Sequence, residues 1–184
     1  YLLAQFLNPK SNQRKDAYGG SAPNRRSFVL EVVDAVAAAI GRERVGIRLS
    51  PFNPFNDLEA NYPNEEVELL ELVRELDARR LGYLHLIATP GAVPDATVDA
   101  VRAAYAGHLM LAGDFDRERA DAALSAGRAD IIAFGRPFIA NPDLPRRLRE
   151  RLPLAAFDAN TLYTPGAQGY ADYADYEALD AVAA

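Results

Sequence analysis

The chain contains no cysteine. That absence removes disulfide bridges, thiolate metal centres and cysteine nucleophiles together. Histidine is nearly as scarce: only His85 and His108 are present, each on a separate expected strand, and neither reads as a metal ligand. A strand histidine is more often a packed core residue than a catalyst. No apolar run approaches the roughly 18 residues of a membrane span, and Tyr1 to Leu7 lacks the basic start and the length of a signal peptide. The 20 basic residues are outnumbered by 26 acidic ones, giving a net charge of −6, and they alternate with Asp and Glu along helical stretches. That pattern opposes a nucleic-acid surface. A soluble, cytoplasmic protein with neither nucleic acid nor membrane as partner is the expectation. The only methionine is Met110 and the first residue is Tyr1, so the chain reads as a piece of something longer.

What is present is a chain of 184 residues, 49% hydrophobic and 25% charged, enough to bury a substantial core in one domain, 1–184. From Ser27 to Ala39, Phe28, Val32, Val33 and Val36 recur at helical spacing and Gly41 stands at the stop. Val45 to Leu49 reads as a strand, followed by a loop with two prolines, Ser50 to Asn56. Asn64 is a candidate cap for a helix from Glu65 to about Arg79, with acidic residues in its first turn and Val67, Leu70, Val73 and Leu76 on one face. Tyr83 to Ile87 is the next strand, and Ala96 to Tyr105 the next helix, with Asp95 as its cap. His108 to Asp114 reads as a strand ending in a glycine turn. Arg117 to Ala126 is then a helix opened by Asp116 and stopped by Gly127.

The last unit is the most informative. Ile131-Ile132-Ala133-Phe134 reads as a strand buried on both faces, running into Gly135-Arg136 and then a capped helix. Glycine lets backbone N–H groups approach an anion, and the planar guanidinium matches phosphate oxygens. Gly113-Asp114 ends the preceding strand in the same way. Either glycine could instead be a simple turn residue. Strands alternating with helices argue for parallel βαβ units. In a (β/α)8 barrel the common phosphate site follows strands seven and eight. Doubly wound folds usually place phosphate after the first strand, so the position favours a barrel over a flavodoxin-like sheet. Four βα units make half a TIM barrel and leave two open strand edges. A partner half, or self-association, is therefore expected.

The segments Tyr1-Leu2-Leu3, Gln5-Phe6-Leu7, Ser11 to Arg14, Asp16 to Ser21 and Asn24-Arg25-Arg26 resemble the Old Yellow Enzyme family of FMN-dependent ene-reductases. Val45 to Pro51, Ala133 to Leu144, Tyr163, Gly169-Tyr170 and Asp172-Tyr173 continue that resemblance in order and spacing. It implies the C-terminal half of an FMN-binding barrel, beginning just after the fourth strand, where the family's substrate-binding histidine pair lies. It further implies that Tyr1 is the proton donor to the substrate α-carbon and that Arg48 lies against the flavin N1 and C2 carbonyl. Gly113, Asp114 and Gly135 would meet the FMN phosphate through their backbones, and Arg136 through its side chain. A structural salt bridge is the alternative role for Arg48. Tyr163 would cover the flavin and substrate region or serve as a packing anchor, and Phe52, Phe55 and Asn56 would lie nearby. The implied reaction is reduction of an activated alkene with NADPH as electron donor, with an N-terminal half-barrel as partner; an isolated FMN-binding half-barrel without catalysis is the alternative. Ile87 to Pro90 lacks the acidic residue and arginine many relatives carry there. The cysteine-free stretch from Leu152 to Tyr163 disfavours the iron–sulfur branches of the superfamily.

Overall fold

The computed structural model describes residues 1–177, which divide into two compact units, 1–133 and 134 onward. The first is a four-stranded parallel sheet with a helix after each of its first three strands. Its elements are α1 (Leu2–Leu7), α2 (Ala22–Ile40), β1 (Gly46–Leu49), α3 (Glu65–Arg79), β2 (Tyr83–Ile87), α4 (Asp95–Ala104), β3 (Leu109–Ala112), α5 (Arg117–Ser125) and β4 (Ile131–Ile132). The strands lie in the order β1-β2-β3-β4, all neighbours parallel. This is the arrangement that half of a (β/α)8 barrel supplies.

Alternation along the strands sorts the sheet into two faces. Ile47, Leu49, Leu84, Leu86, Leu109 and Leu111 are buried, and they share one core with Val29 and Val33 of α2, Leu72, Val73 and Leu76 of α3, and Val98 and Val101 of α4. The other face carries Gly46, Arg48, Tyr83, His85, Ile87, Met110 and Ala112, none of them buried. Arg48, His85, Met110 and Ile131 form one register row across it.

The segment joining α1 to α2 is fixed by its own polar groups. The Asn12 carboxamide donates to the Phe6 and Tyr18 carbonyls, both at 2.7 Å. Gly19 is required because a Cβ there would lie 2.2 Å from the Arg14 carbonyl oxygen. Phe6 stacks on Phe28 at 4.1 Å with Tyr18 edge-on to both. Arg25 is buried, donates to the Leu7 carbonyl at 2.8 Å and pairs with Glu68 of α3; Arg26 pairs with Glu71 and Glu75.

Four expectations are corrected. Asn64 precedes α3, but with φ 68° it sits in the left-handed region and its side chain makes no cap bond. The helix start is supported instead by Glu65, Glu66 and Glu68 against its positive end. Pro94, rather than Asp95, precedes α4, whose first residue is Asp95. His108 is exposed and lies just before β3, not on a strand. Ile131 is 41% exposed, because it lies on the open face of the sheet and β4, two residues long, pairs with β3 alone among the described residues. Asp116 does cap α5, accepting from the Arg119 N–H at 2.8 Å.

The second unit contains α6 (Arg136–Ala140), α7 (Leu144–Glu150) and a 3-10 turn at Ala159–Thr161. Its centre is polar. Asn141 is fully buried, donating to the Pro137 and Ala155 carbonyls at 2.7 and 3.1 Å and accepting from the Ala155 N–H at 2.8 Å. Arg147, 1% exposed, pairs with Asp143 at 2.6 Å and donates to the Pro153 and Ala174 carbonyls, both at 3.2 Å. Asp143 makes no side-chain cap bond to α7, since its oxygens hold Arg147 and the Tyr176 N–H.

Candidate active site

Arg48 is the third residue of β1, near the C-terminal end of that strand, where barrels carry their chemistry. It is exposed and forms no hydrogen bond or ion pair among the described residues. The salt-bridge alternative therefore has no carboxylate to support it there. Its register neighbour is His85, half-buried, whose Nε2 is buried without a hydrogen-bond partner. Burial and then the Arg48 charge hold the His85 imidazole below its ordinary pKa. A fixed cation thus stands beside a ring whose protonation it opposes.

Within the first unit a cavity of about 450 Å³ is lined by both Tyr1 and Arg48, together with Leu3, Leu7, Ser50 and Leu58. Tyr1 precedes α1, is 68% exposed, and its carbonyl accepts from the Gln5 N–H at 2.9 Å. The residue that the family resemblance implies as proton donor and the one it implies against the flavin ring thus line one cavity. The loop between β1 and α3 forms part of the wall. Its Phe55 is 68% exposed, and Asn56 is also exposed.

The loop after β3 is shaped by Gly113. Its φ is 136°, and a Cβ would fall 2.6 Å from the Ala88 carbonyl and the Thr89 nitrogen. Only glycine allows that approach. Asp114 follows at φ 50°, exposed, with its carbonyl accepting from Arg119 at 2.6 Å. In the second unit, Gly135 and Arg136 are exposed at the start of α6, Arg136 being its first residue. Tyr163 is 94% exposed. That exposure leaves no packing-anchor role for it among the described residues.

Sequence reading missed two residues that build this region. In the sequence Glu65 is only one of several acids in the first turn of α3. It is 8% exposed, and its carboxylate accepts from the Phe52 and Asn61 N–H groups, both at 2.7 Å. Burial raises its pKa, against the pull of those donors. Asn8, 6% exposed, binds the Glu59 backbone on both sides, donating at 2.9 Å and accepting at 3.3 Å. Loop-to-helix bonds of this kind leave no periodic trace. The one available signal was the polar run Asn64-Glu65-Glu66 at the start of α3, in which nothing marks Glu65 as the buried member.

Among the described residues no group of acidic and histidine side chains could hold a metal ion, and no helix is long and apolar enough to cross a membrane. Residues 1–155 match the NADH:flavin oxidoreductase / NADH oxidase family. The chain is 43% identical to 12-oxophytodienoate reductase 2 of Arabidopsis thaliana, over 96% of this chain and 49% of that protein. It is 42% identical to a probable flavin mononucleotide-dependent alkene reductase of Leishmania infantum, over 94% of this chain and 47% of that one. Morphinone reductase superposes with a TM-score of 0.89 at 44% identity, over 96% of this chain and 48% of that structure. The old yellow enzyme of Trypanosoma cruzi superposes equally well, at 0.89 and 34% identity, over 96% and 47%. The chain spans about half the length of the curated relatives it matches. It belongs to the NADH:flavin oxidoreductase / NADH oxidase family, the family of the Old Yellow Enzymes.

Proposed function

We propose that this member of the Old Yellow Enzyme family is the C-terminal half of an FMN-dependent NAD(P)H oxidoreductase that reduces the C=C bond of activated alkenes such as enones. The observation that carries the reading is Arg48: a guanidinium with no ionic partner among the described residues, on the open face of the sheet, lining a cavity with Tyr1. In this chain the Arg48 guanidinium is exposed and solvated; once an N-terminal half-barrel takes it from water the cation needs a ligand to complete it, and a flavin's N1 and C2 carbonyl are the acceptors such a group fits.

FMN, when bound and reduced by a nicotinamide, supplies the hydride that goes to the β-carbon of the alkene. The chain's own residues do the rest. Arg48 holds fixed positive charge where negative charge grows on the ring system, which favours reduction there without reorganisation. The Tyr1 hydroxyl gives its proton to the α-carbon, the step that completes the saturated product. Arg136 and the backbones of Gly113, Asp114 and Gly135 are assigned to the phosphate; the glycine at 113 suits that task because its loop needs a conformation closed to other residues. Tyr163 is assigned to covering the flavin and substrate region.

The remaining strands of the barrel are assigned to an N-terminal half, which covers the open face and brings the substrate-binding pair that the family resemblance implies. The test is an absorbance spectrum of the chain desalted from excess FMN, taken with and without an N-terminal half-barrel, followed by NADPH and cyclohexenone. Retained flavin absorbance with the half present, and NADPH consumption that depends on the enone, is the expected result. No flavin retained under either condition overturns the reading.

A further inference from the structure

We propose that Glu65 is a positioning residue: its carboxylate clamps the loop between β1 and α3 into the wall of the Tyr1–Arg48 cavity and thereby sets which substrates that cavity admits. The inference rests on the flavin-oxidoreductase reading above.

The loop that leaves β1 two residues after Arg48 has no regular structure to hold it. Phe52, Asn56, Asp57 and Asn61 all lie at positive φ, between 56° and 62°. Asparagine and aspartate enter that region readily, but Phe52 keeps it only where the surroundings impose it. The imposing groups are visible. Glu65, the first residue of α3, reaches back so that Oε1 accepts from the Phe52 N–H and Oε2 from the Asn61 N–H, each at 2.7 Å. One side chain thus ties the beginning of the loop to its end. Between those ties the Asn8 carboxamide grips Glu59, and Asn8 belongs to the segment just after the helix that Tyr1 opens.

The clamp bears directly on the cavity. Ser50, Pro51, Asn53, Leu58 and Tyr62 line it from the loop, and Glu65 lines it itself. Fixing Phe52 and Asn61 fixes the stretch that faces Arg48. Phe55 and Asn56 are exposed in the stretch between the two ties. The carboxylate is the one side chain of this length with an acceptor on both terminal atoms. Glutamine turns an N–H₂ toward one of the two backbone donors, and aspartate falls short by a methylene.

The test compares the full chain, supplied with an N-terminal half-barrel and FMN, with its Glu65→Gln and Glu65→Asp variants. Glu66→Gln serves as control, since Glu66 accepts instead from Thr97 at 2.8 Å. Amide exchange at Phe52 and Asn61 is measured alongside kcat and KM for a small and a bulky enone. The expected result is exchange faster by about tenfold or more at both amides, with KM shifting differently for the two enones while kcat is retained. Two variants are used so that either one that folds decides the matter. Unchanged exchange overturns the clamp, and equal KM shifts for both enones overturn the role in selecting substrates. If the unmodified protein reduces no flavin with NADPH, the functional reading fails and takes the selectivity role with it, while the exchange measurement still decides the clamp.

Discussion

Arg48 and His85 are register partners on adjacent parallel strands, side by side on the open face of the sheet, and among the described residues neither the guanidinium nor the buried His85 Nε2 has a hydrogen-bond partner. Because burial and the Arg48 cation lower the His85 pKa, the unfolded chain binds a proton at this site more readily than the folded one. Stability is then fully present above the ordinary histidine value of about 6.5 and declines as the pH falls below it. Urea unfolding of the chain between mildly acid and neutral pH should show that slope, and His85→Gln should flatten it. An unchanged slope in the variant would place its origin elsewhere.

Arg48→Ala should weaken FMN retention by about tenfold or more through loss of a charge-assisted contact. Arg48→Lys keeps the charge but not the fork, so it should recover only part of the affinity. Flavin titration followed by fluorescence checks both. Equal affinity in all three proteins would remove Arg48 from the flavin site.

Arg136→Ala should separate FMN from riboflavin. If Arg136 meets the phosphate, FMN binding falls by about tenfold or more while riboflavin, which has no phosphate, binds as before. Parallel losses for both flavins would assign Arg136 a structural task.

Tyr1→Phe, in the protein completed by an N-terminal half, should leave flavin reduction by NADPH intact and slow its reoxidation by an enone about a hundredfold or more. Stopped-flow traces of the two half-reactions distinguish these steps. A loss in the reductive half-reaction would argue against a proton-donor role.

Asn141→Ala should destabilise the second unit by about 2–3 kcal/mol, because the Ala155 N–H and the Pro137 carbonyl lose a buried partner together. Thermal unfolding followed through the tyrosines of that unit provides the reading.

Much of the fold could be read from periodicity. Glu65–Arg79 and Tyr83–Ile87 have the expected bounds, although in α3 Val67 is 56% exposed and Leu69 and Leu72 are buried beside Val73 and Leu76; α2 ends at Gly41, and α5 at Ser125, two residues before Gly127. What escaped was set by tertiary position. Ile131 resembles any buried β-branched residue, yet its exposure depends on which strands flank it, and only β3 does. Asn64 has the side chain of a cap, but the loop delivers it in a left-handed conformation. The helix Leu2–Leu7 is too short to show a period. Within the candidate site, Tyr1 and Arg48 came from motifs long enough to be distinctive. Glu65 and Asn8 came from none, since each acts on backbone that carries no sequence of its own.

The face of the sheet that bears Tyr83, Met110 and Ile131 has a consequence for the protein's life in a cell. Tyr83 and Ile131 stand 38% and 41% exposed among apolar neighbours, a surface of the kind that chaperones and proteases use to sort unfinished chains from finished ones. Whatever shields that face also decides how long a molecule survives. If the proposed N-terminal half is a separate chain and covers that face, the level to which this chain accumulates should follow the supply of that half more closely than the rate of its own synthesis.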